Sequence, residues 1–228
     1  MSWISWLLPP GASTFAGDID RIYYVILAIT GTAFVIVEVA LVWFLIKYRA
    51  RPGRPPVRYV HGSNKAEVIW TSITAATVVI LGLMSAGMWN RIKGRESVPA
   101  DAMVVQVRVK QFEWNFIYPG PDGRFGTADD FTSRNQLHLT VNQPVVVEMT
   151  SEDVIHSFSI PAFRIKQDAV PGMVIRAWFE PTQTGEFEMG CAELCGLGHY
   201  RMRAVVTVHS PEEYQRWLGT QSTSVASR

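Results

Sequence analysis

The chain is poor in cysteine. Only two of its 228 residues are cysteines, Cys191 and Cys195, which excludes a multi-bridge disulfide framework. It also lacks a charge excess. Its 21 Lys and Arg against 20 Asp and Glu leave a formal net charge of +1, so there is no bulk electrostatic case for nucleic acid as a partner. No Lys or Arg stands in residues 1–20, so the chain does not open with the charged n-region of a secretory signal. The apolar stretch there, residues 3–8, is too short to cross a membrane and is ended by Pro9 and Pro10. Trp3 and Trp6 suit either a membrane interface or a frayed terminus.

Apolar residues, by contrast, are abundant and unevenly spread. Residues 22–46 run almost unbroken, with Glu38 the one charge, and exceed the ~20 residues needed to span a bilayer. An ionisable residue inside such a span is expected to face protein rather than lipid. Residues 68–89 form a second run without charge, with Trp70 and Trp89 near its ends, where indoles favour the interface. Lys47, Arg49, Arg51, Arg54, Arg58 and Lys65 crowd the connection between the two runs. The positive-inside rule therefore places that loop in the cytoplasm and both chain ends on the opposite side, against a weaker counter-signal from Arg91, Lys93 and Arg95. Pro52, Pro55 and Pro56 predict an extended connection. Glu67, at the start of the second run, reads on its own as a carboxylate favoured by the helix dipole.

From residue 102 the period changes. MVVQVRV, QLHLTV, PVVVEMTS, VIHSFSI, VIRAWFE, GEFEMG and AVVTVHS alternate apolar with polar or run short and apolar, punctuated by Pro and Gly. That is the pattern of a β-sandwich with its functional groups on end loops. FEWNFIY, holding Phe112 and Trp114, places an aromatic cluster on a strand end. Residues 119–132 carry Asp122, Asp129 and Asp130 without the spacing of an EF-hand, and read as an acidic surface loop. His138 alternates with leucines and is expected to be structural, and His209 is expected to face solvent. A short closing helix is predicted over residues 211–218 with a Ser210–Glu213 capping box, followed by a disordered polar tail.

The densest chemistry lies in residues 190–202, GCAELCGLGHYRM. Cys191, Cys195, His199 and Met202 put two thiols, an imidazole and a thioether within twelve residues, with Gly190, Gly196 and Gly198 to let the backbone bend. Soft sulfur ligands select copper or iron–sulfur, and imidazole suits copper and zinc. His156, in SEDVIHSFSIP, is the best second source of a ligand, and Glu193 sits between the cysteines. A small disulfide loop, a structural zinc that leaves Met202 unexplained, a mononuclear blue-copper site with one thiolate too many and a pair of coppers bridged by both thiolates are all open to these residues. The last uses every donor.

CAELCGLGHYRM resembles the copper loop of subunit II of the haem–copper cytochrome c oxidases, and DVIHSF resembles that family's upstream histidine motif. The resemblance implies a two-helix transmembrane hairpin followed by an all-β, cupredoxin-like Greek-key sandwich. The implied layout is an N-terminal segment (1–20), the hairpin (21–95), the copper domain (96–220) and a tail (221–228). It implies two copper ions held by His156, Cys191, Cys195, His199, Met202 and the Glu193 carbonyl, with the Glu193 side chain on a magnesium ion shared with the catalytic subunit. Electrons would come from cytochrome c or an equivalent donor and pass to haems in subunit I, for oxygen reduction coupled to proton pumping. The implied setting is an oxidase assembly in a bilayer, with both termini on the periplasmic or intermembrane-space side of, by expectation, a bacterial inner membrane. Glu67 matches the glutamate at the mouth of a proton-uptake pathway, and Glu152 and Asp153 match an acidic face that attracts lysine-rich cytochrome c. Trp114 fits the family's tryptophan-rich segment, whereas Phe112 stands where the family usually has its electron-accepting tryptophan. No C-x-x-C-H is present, so no fused haem domain is expected. The competing reading is a membrane-anchored protein that binds or delivers copper without passing electrons on, in which Glu67 and the acidic pair have no purpose. The quinol-oxidising branch of the family typically lacks copper ligands, and all are present here.

Overall fold

The two apolar runs form the helices α1 (Ala16–Tyr48) and α2 (Asn64–Lys93) in a computed structural model that describes residues 7–55, 59, 61–94 and 98–225. Trp3, Trp6, Pro56, Arg58 and Arg95 lie outside the described residues. At 33 and 30 residues both helices exceed the ~30 Å hydrocarbon thickness at 1.5 Å per residue. Their most apolar 18-residue windows are entirely unburied in the isolated chain, with mean hydropathies of 2.5 and 1.9. Surfaces of that kind are stable only against lipid or another subunit. The α1 end is capped by Arg54, whose Nη1 donates to the carbonyls of Lys47 and Arg49, each at 3.0 Å. At the α2 start, Ser63 Oγ accepts from the Ala66 N–H at 3.3 Å, and Glu67 lies in the first turn, where the dipole favours a carboxylate. Residues Asp20–Trp89 form one unit. The other comprises Met1–Ile19 and Asn90–Arg228.

The second unit is a β-sandwich. Its strands are β1 (Met103–Lys110), β2 (Glu113–Tyr118), β3 (Phe131–Arg134), β4 (Gln136–Thr140), β5 (Val145–Ser151), β6 (His156–Ile160), β7 (Ile165–Ala169), β8 (Ile175–Phe179), β9 (Gly185–Cys191) and β10 (Arg203–His209). They make two five-stranded sheets, ordered β3-β2-β1-β5-β8 and β4-β10-β9-β6-β7. The β1–β5 and β4–β10 pairs are parallel, so the chain crosses between sheets rather than running as a meander. Alternation along each strand fills the space between the sheets. Val105, Val107 and Val109 of β1, Trp114, Phe116 and Tyr118 of β2, and Val206 and Val208 of β10 are all buried. Two strands escaped the sequence reading: β3, at the end of the acidic loop, and β7, whose IKQDA has too little apolar content to signal a strand. The acidic loop turns its carboxylates inward. Asp130 accepts from the Gly126 N–H at 2.7 Å, and Asp129 from the Thr127 hydroxyl at 2.7 Å.

Residues 9–15, just ahead of α1, pack into this unit. Ala12 is fully buried, and Ser13 and Phe15 are nearly so. The Ala12 N–H donates to the Ala162 carbonyl at 2.8 Å, the Thr14 N–H to Glu180 at 3.1 Å, and the Thr182 N–H returns to Ala12 at 2.9 Å. Ser13 Oγ donates to the Phe163 carbonyl at 2.8 Å, and the Phe15 ring meets Trp178 edge-on at 4.7 Å. A strap ahead of the first helix is thus sewn into the sandwich, which sequence periodicity does not show because the strap is short and its partners are far along the chain.

The closing helix α3 (Pro211–Val225) runs past the expected end at Leu218 into the segment read as a disordered tail. Its cap is as expected: Glu213 Oε2 accepts from the Ser210 N–H at 3.0 Å, and Ser210 Oγ from the Glu213 N–H at 3.3 Å. Trp217 pins the helix to the sandwich by stacking on His138 at 4.2 Å and 18°, and the helix continues beyond that anchor. His209 also departs from expectation. It does not simply face solvent, because its Nε2 lies 2.8 Å from His138 Nδ1. The two rings are within 8° of parallel with centroids 5.2 Å apart, so the nitrogens meet edge to edge as an N–H···N bond.

Candidate metal centre

Two loops at one end of the sandwich bring the sulfur and imidazole donors together. His156 opens β6 and is fully buried, while Cys191 closes β9. Register does part of the work: Phe158 of β6 pairs with Cys191, which sets His156 beside that cysteine. The chain then turns through Cys195 into a 3-10 turn, His199–Arg201, and Met202 leads into β10. Gly196 holds φ +127, and a Cβ there would lie 2.6 Å from Gln111 Nε2, so only glycine fits that bend.

The distances divide the donors into two halves. Cys191 Sγ lies 3.9 Å from His156 Nδ1 and 3.2 Å from the Glu193 carbonyl oxygen. Cys195 Sγ lies 3.5 Å from His199 Nδ1 and 3.7 Å from Met202 Sδ. The two sulfurs are 3.8 Å apart and belong to free cysteines. Thiolates sharing one ion at a metal–sulfur bond of ~2.3 Å stand about 3.8 Å apart in tetrahedral geometry, so the donor set fits a bound soft metal without rearrangement. His156, Cys191 and Cys195 alone place donor atoms within 4.8 Å of one another, and His199 joins through Cys195. Burial pushes the Cys195 thiol up to about 12, and the adjacent Cys191 adds to the effect. A coordinated cation reverses that balance and deprotonates a thiol outright.

The surroundings set the orientation of the histidine. His156 Nε2 lies 2.8 Å from Asp153 Oδ1, which leaves Nδ1 as the nitrogen facing the sulfurs. Burial pushes the Asp153 carboxyl up, but hydrogen bonds from Gln111, His156 and Val154 outweigh it and hold the group below its usual range. Asp153, read from sequence as part of a docking face, therefore has a side chain only 30% exposed and turned onto a ligand. Its position three residues before His156 was the available signal. Glu152 is exposed. Trp114 is fully buried, with its ring centroid 6.3 Å from that of His156. Phe112 lays its ring on the cysteine loop, and a Cβ on Gly198 would lie 2.6 Å from its Cδ2. Leu194, Leu197 and Tyr200 project from the same loop at 79, 95 and 80% exposure. The Glu193 side chain is exposed. Glu67 lies on α2, in the other unit.

Fold and site together define a membrane-anchored, cupredoxin-type domain with a cluster of thiol and imidazole donors able to hold a soft metal. Comparison with known proteins narrows the class. Residues 104–209 match the family described as cytochrome c oxidase subunit II, periplasmic domain, and residues 1–88 match its transmembrane domain. The alternative cytochrome c oxidase subunit 2 of Bradyrhizobium diazoefficiens is 34% identical over 96% of this chain and 85% of its own length. Cytochrome c oxidase subunit 2 of Thermostichus vulcanus is 31% identical over 92% and 77%. The crystal structure of the periplasmic domain of subunit II of cytochrome oxidase of Bradyrhizobium japonicum superposes with a TM-score of 0.50 at 32% identity, covering 56% of this chain and 99% of that one. The chain belongs to the cytochrome c oxidase subunit II family. It is a two-span membrane subunit of a cytochrome c oxidase, and copper binding and electron transfer go with the family.

Proposed function

We propose that this chain takes electrons one at a time from cytochrome c, or an equivalent periplasmic or membrane-bound donor, at a binuclear copper centre. It passes them to the haems of subunit I, where oxygen reduction is coupled to proton pumping. The observation that carries this reading is the division of donors into two halves, each a sulfur with its own imidazole and one weaker donor, meeting across 3.8 Å. Cys191 and Cys195 would bridge two coppers, His156 and His199 would each hold one, and Met202 and the Glu193 carbonyl would complete the set. When bound, the copper pair supplies a one-electron couple whose charge is spread over shared thiolates.

The protein's part is to keep that frame fixed. His156 is fully buried, and Met202 and Cys195 are 1% and 3% exposed, so close packing limits the motion of these three donors, while Cys191 and His199 are partly buried. Phe112 and Trp114 lie on the path by which electrons reach the site, with the phenyl ring in place of the family's usual indole. Glu152 and Asp153 form the acidic pair that steers a basic donor, an attraction that weakens with salt. Glu193 holds magnesium at the subunit I boundary, and Glu67 opens the proton-uptake route. The strap supports one further point. Residues 9–16 and the sandwich share one side of the membrane, which we assign to the periplasmic face of a bacterial inner membrane.

Copper-loaded full-length chain in detergent provides the test, by metal analysis and electron paramagnetic resonance. Two coppers per chain, with one unpaired electron shared over both nuclei, is the expected result. A single copper with a blue-copper spectrum, or zinc alone, would return the chain to a delivery or structural role.

A further inference from the structure

The two ligand-bearing loops do not touch through their ligands alone. The two-residue turn between β1 and β2, Gln111 and Phe112, reaches both. The Gln111 backbone N–H donates to Asp153 Oδ2 at 2.7 Å, and the other oxygen of that carboxylate holds His156 Nε2 at 2.8 Å. The Gln111 side chain points the opposite way, and its Nε2 donates to the Cys195 carbonyl at 2.6 Å. The Phe112 ring seals the contact by lying over Gly196 and Gly198. A third tie fixes the base of the turn, where the Glu152 N–H donates to the Val109 carbonyl at 2.9 Å. One residue outside the ligand set thus bridges the loop of His156 and the loop of Cys195.

We propose that Gln111 is a positioning residue for the metal centre, its amide side chain holding the Cys195 loop at a set distance from the Asp153–His156 pair. The role follows from where the donors sit. His156 is anchored in β6, whereas Cys195 lies in a loop with glycines on both sides of Leu197, so the fixed half and the yielding half of the site need a brace. Outer partners of metal ligands typically change affinity about 10- to 100-fold when removed. The proposal rests on the copper reading above and goes beyond it, because Gln111 itself is not a ligand.

The experiment compares wild-type full-length chain with Gln111→Met, which keeps the length and removes the donor. Both are loaded with copper in detergent, and the rate of copper loss to a chelator is measured beside the paramagnetic resonance spectrum and the melting temperatures of the copper-free and loaded forms. Q111M is expected to lose copper about 10- to 100-fold faster, with altered hyperfine splittings and a larger drop in melting temperature for the loaded form than for the copper-free form. A wild-type loss rate and spectrum, with equal drops for both forms, would reduce Gln111 to a merely structural residue and overturn the proposal. Should Q111M fail to fold, Gln111→Asn keeps the donor but cannot span the gap. It is expected to accelerate copper loss as well, and a wild-type rate there would be equally fatal. A wild-type chain that binds no copper pair defeats the earlier reading instead, so the two failures are distinguishable.

Discussion

Strand β10 has a different pair of histidines near each end. At its start, beside Met202, His156 and His199 turn ring nitrogens toward sulfurs 3.9 and 3.5 Å away. At its finish, His209 turns its ring toward His138 at 2.8 Å, and both lie nearly parallel to the face of Trp217. All four rings are wholly or partly buried in one domain. What separates the proposed ligand His156 from the structural pair is the partner of its second nitrogen. Asp153 occupies the outer nitrogen of His156 and frees the inner one. The distal pair hydrogen-bond to each other instead of turning toward sulfur.

The sharpest way to break the contrast is at the shared sulfur. Cys195→Ser is expected to abolish the binuclear site outright, seen as loss of the two-copper stoichiometry and of the shared-spin spectrum. His156→Ala and His138→Ala should then part company. The first is expected to weaken copper binding by at least the ~10- to 100-fold seen for mere supporting residues. The second should leave copper count and spectrum unchanged while costing about 1–3 kcal/mol of stability through a lost hydrogen bond and ring stack, read as a fall of several degrees in melting temperature.

A gentler probe is pH. Burial, aided by the neighbouring His209, pushes His138 down to about 4. Its folded value lies below the ~6.5 of an unfolded chain, so the unfolded state binds the proton first. Its contribution is therefore fully present above about pH 6.5, falls as pH drops toward 4, and levels off below that. Melts of the copper-free chain should show this slope, and His138→Gln should remove His138's share of it, leaving the smaller part due to His209, also lowered by burial. The smallest effect is at the helix cap. Glu213→Ala removes half of the capping box and should cost about 0.5–1 kcal/mol, with the copper spectrum untouched.

How much of this was legible beforehand depended on range in sequence. The metal-binding loop was readable because Cys191, Cys195, His199 and Met202 sit within twelve residues, and most strands showed a period of two. His156 was findable by its setting in an apolar run. Gln111 was not, since its side-chain partner is 84 residues away and a glutamine carries no chemical flag. Asp153 is legible as part of an acidic pair, but composition does not show that its carboxylate also meets His156. The setting of His209 is hidden for a similar reason. A residue at a strand end looks solvent-facing until a helix with a tryptophan closes over it, and the length of that helix was itself underread.

The strap ahead of α1 has a consequence for how such a subunit is made. Its hydrogen bonds join Ala12 to Ala162 and to Thr182, and Thr14 to Glu180, so a segment synthesised before both helices is a structural part of the domain synthesised after them. Between them lie two membrane crossings. The sandwich cannot close until the strap has been carried across and is waiting on the same side. A chain whose strap stayed behind would present an empty seat beside Trp178 and unmet carbonyls at Ala162 and Glu180. Insertion and folding are thereby placed in a fixed order, and a misoriented chain is marked by a domain that does not finish.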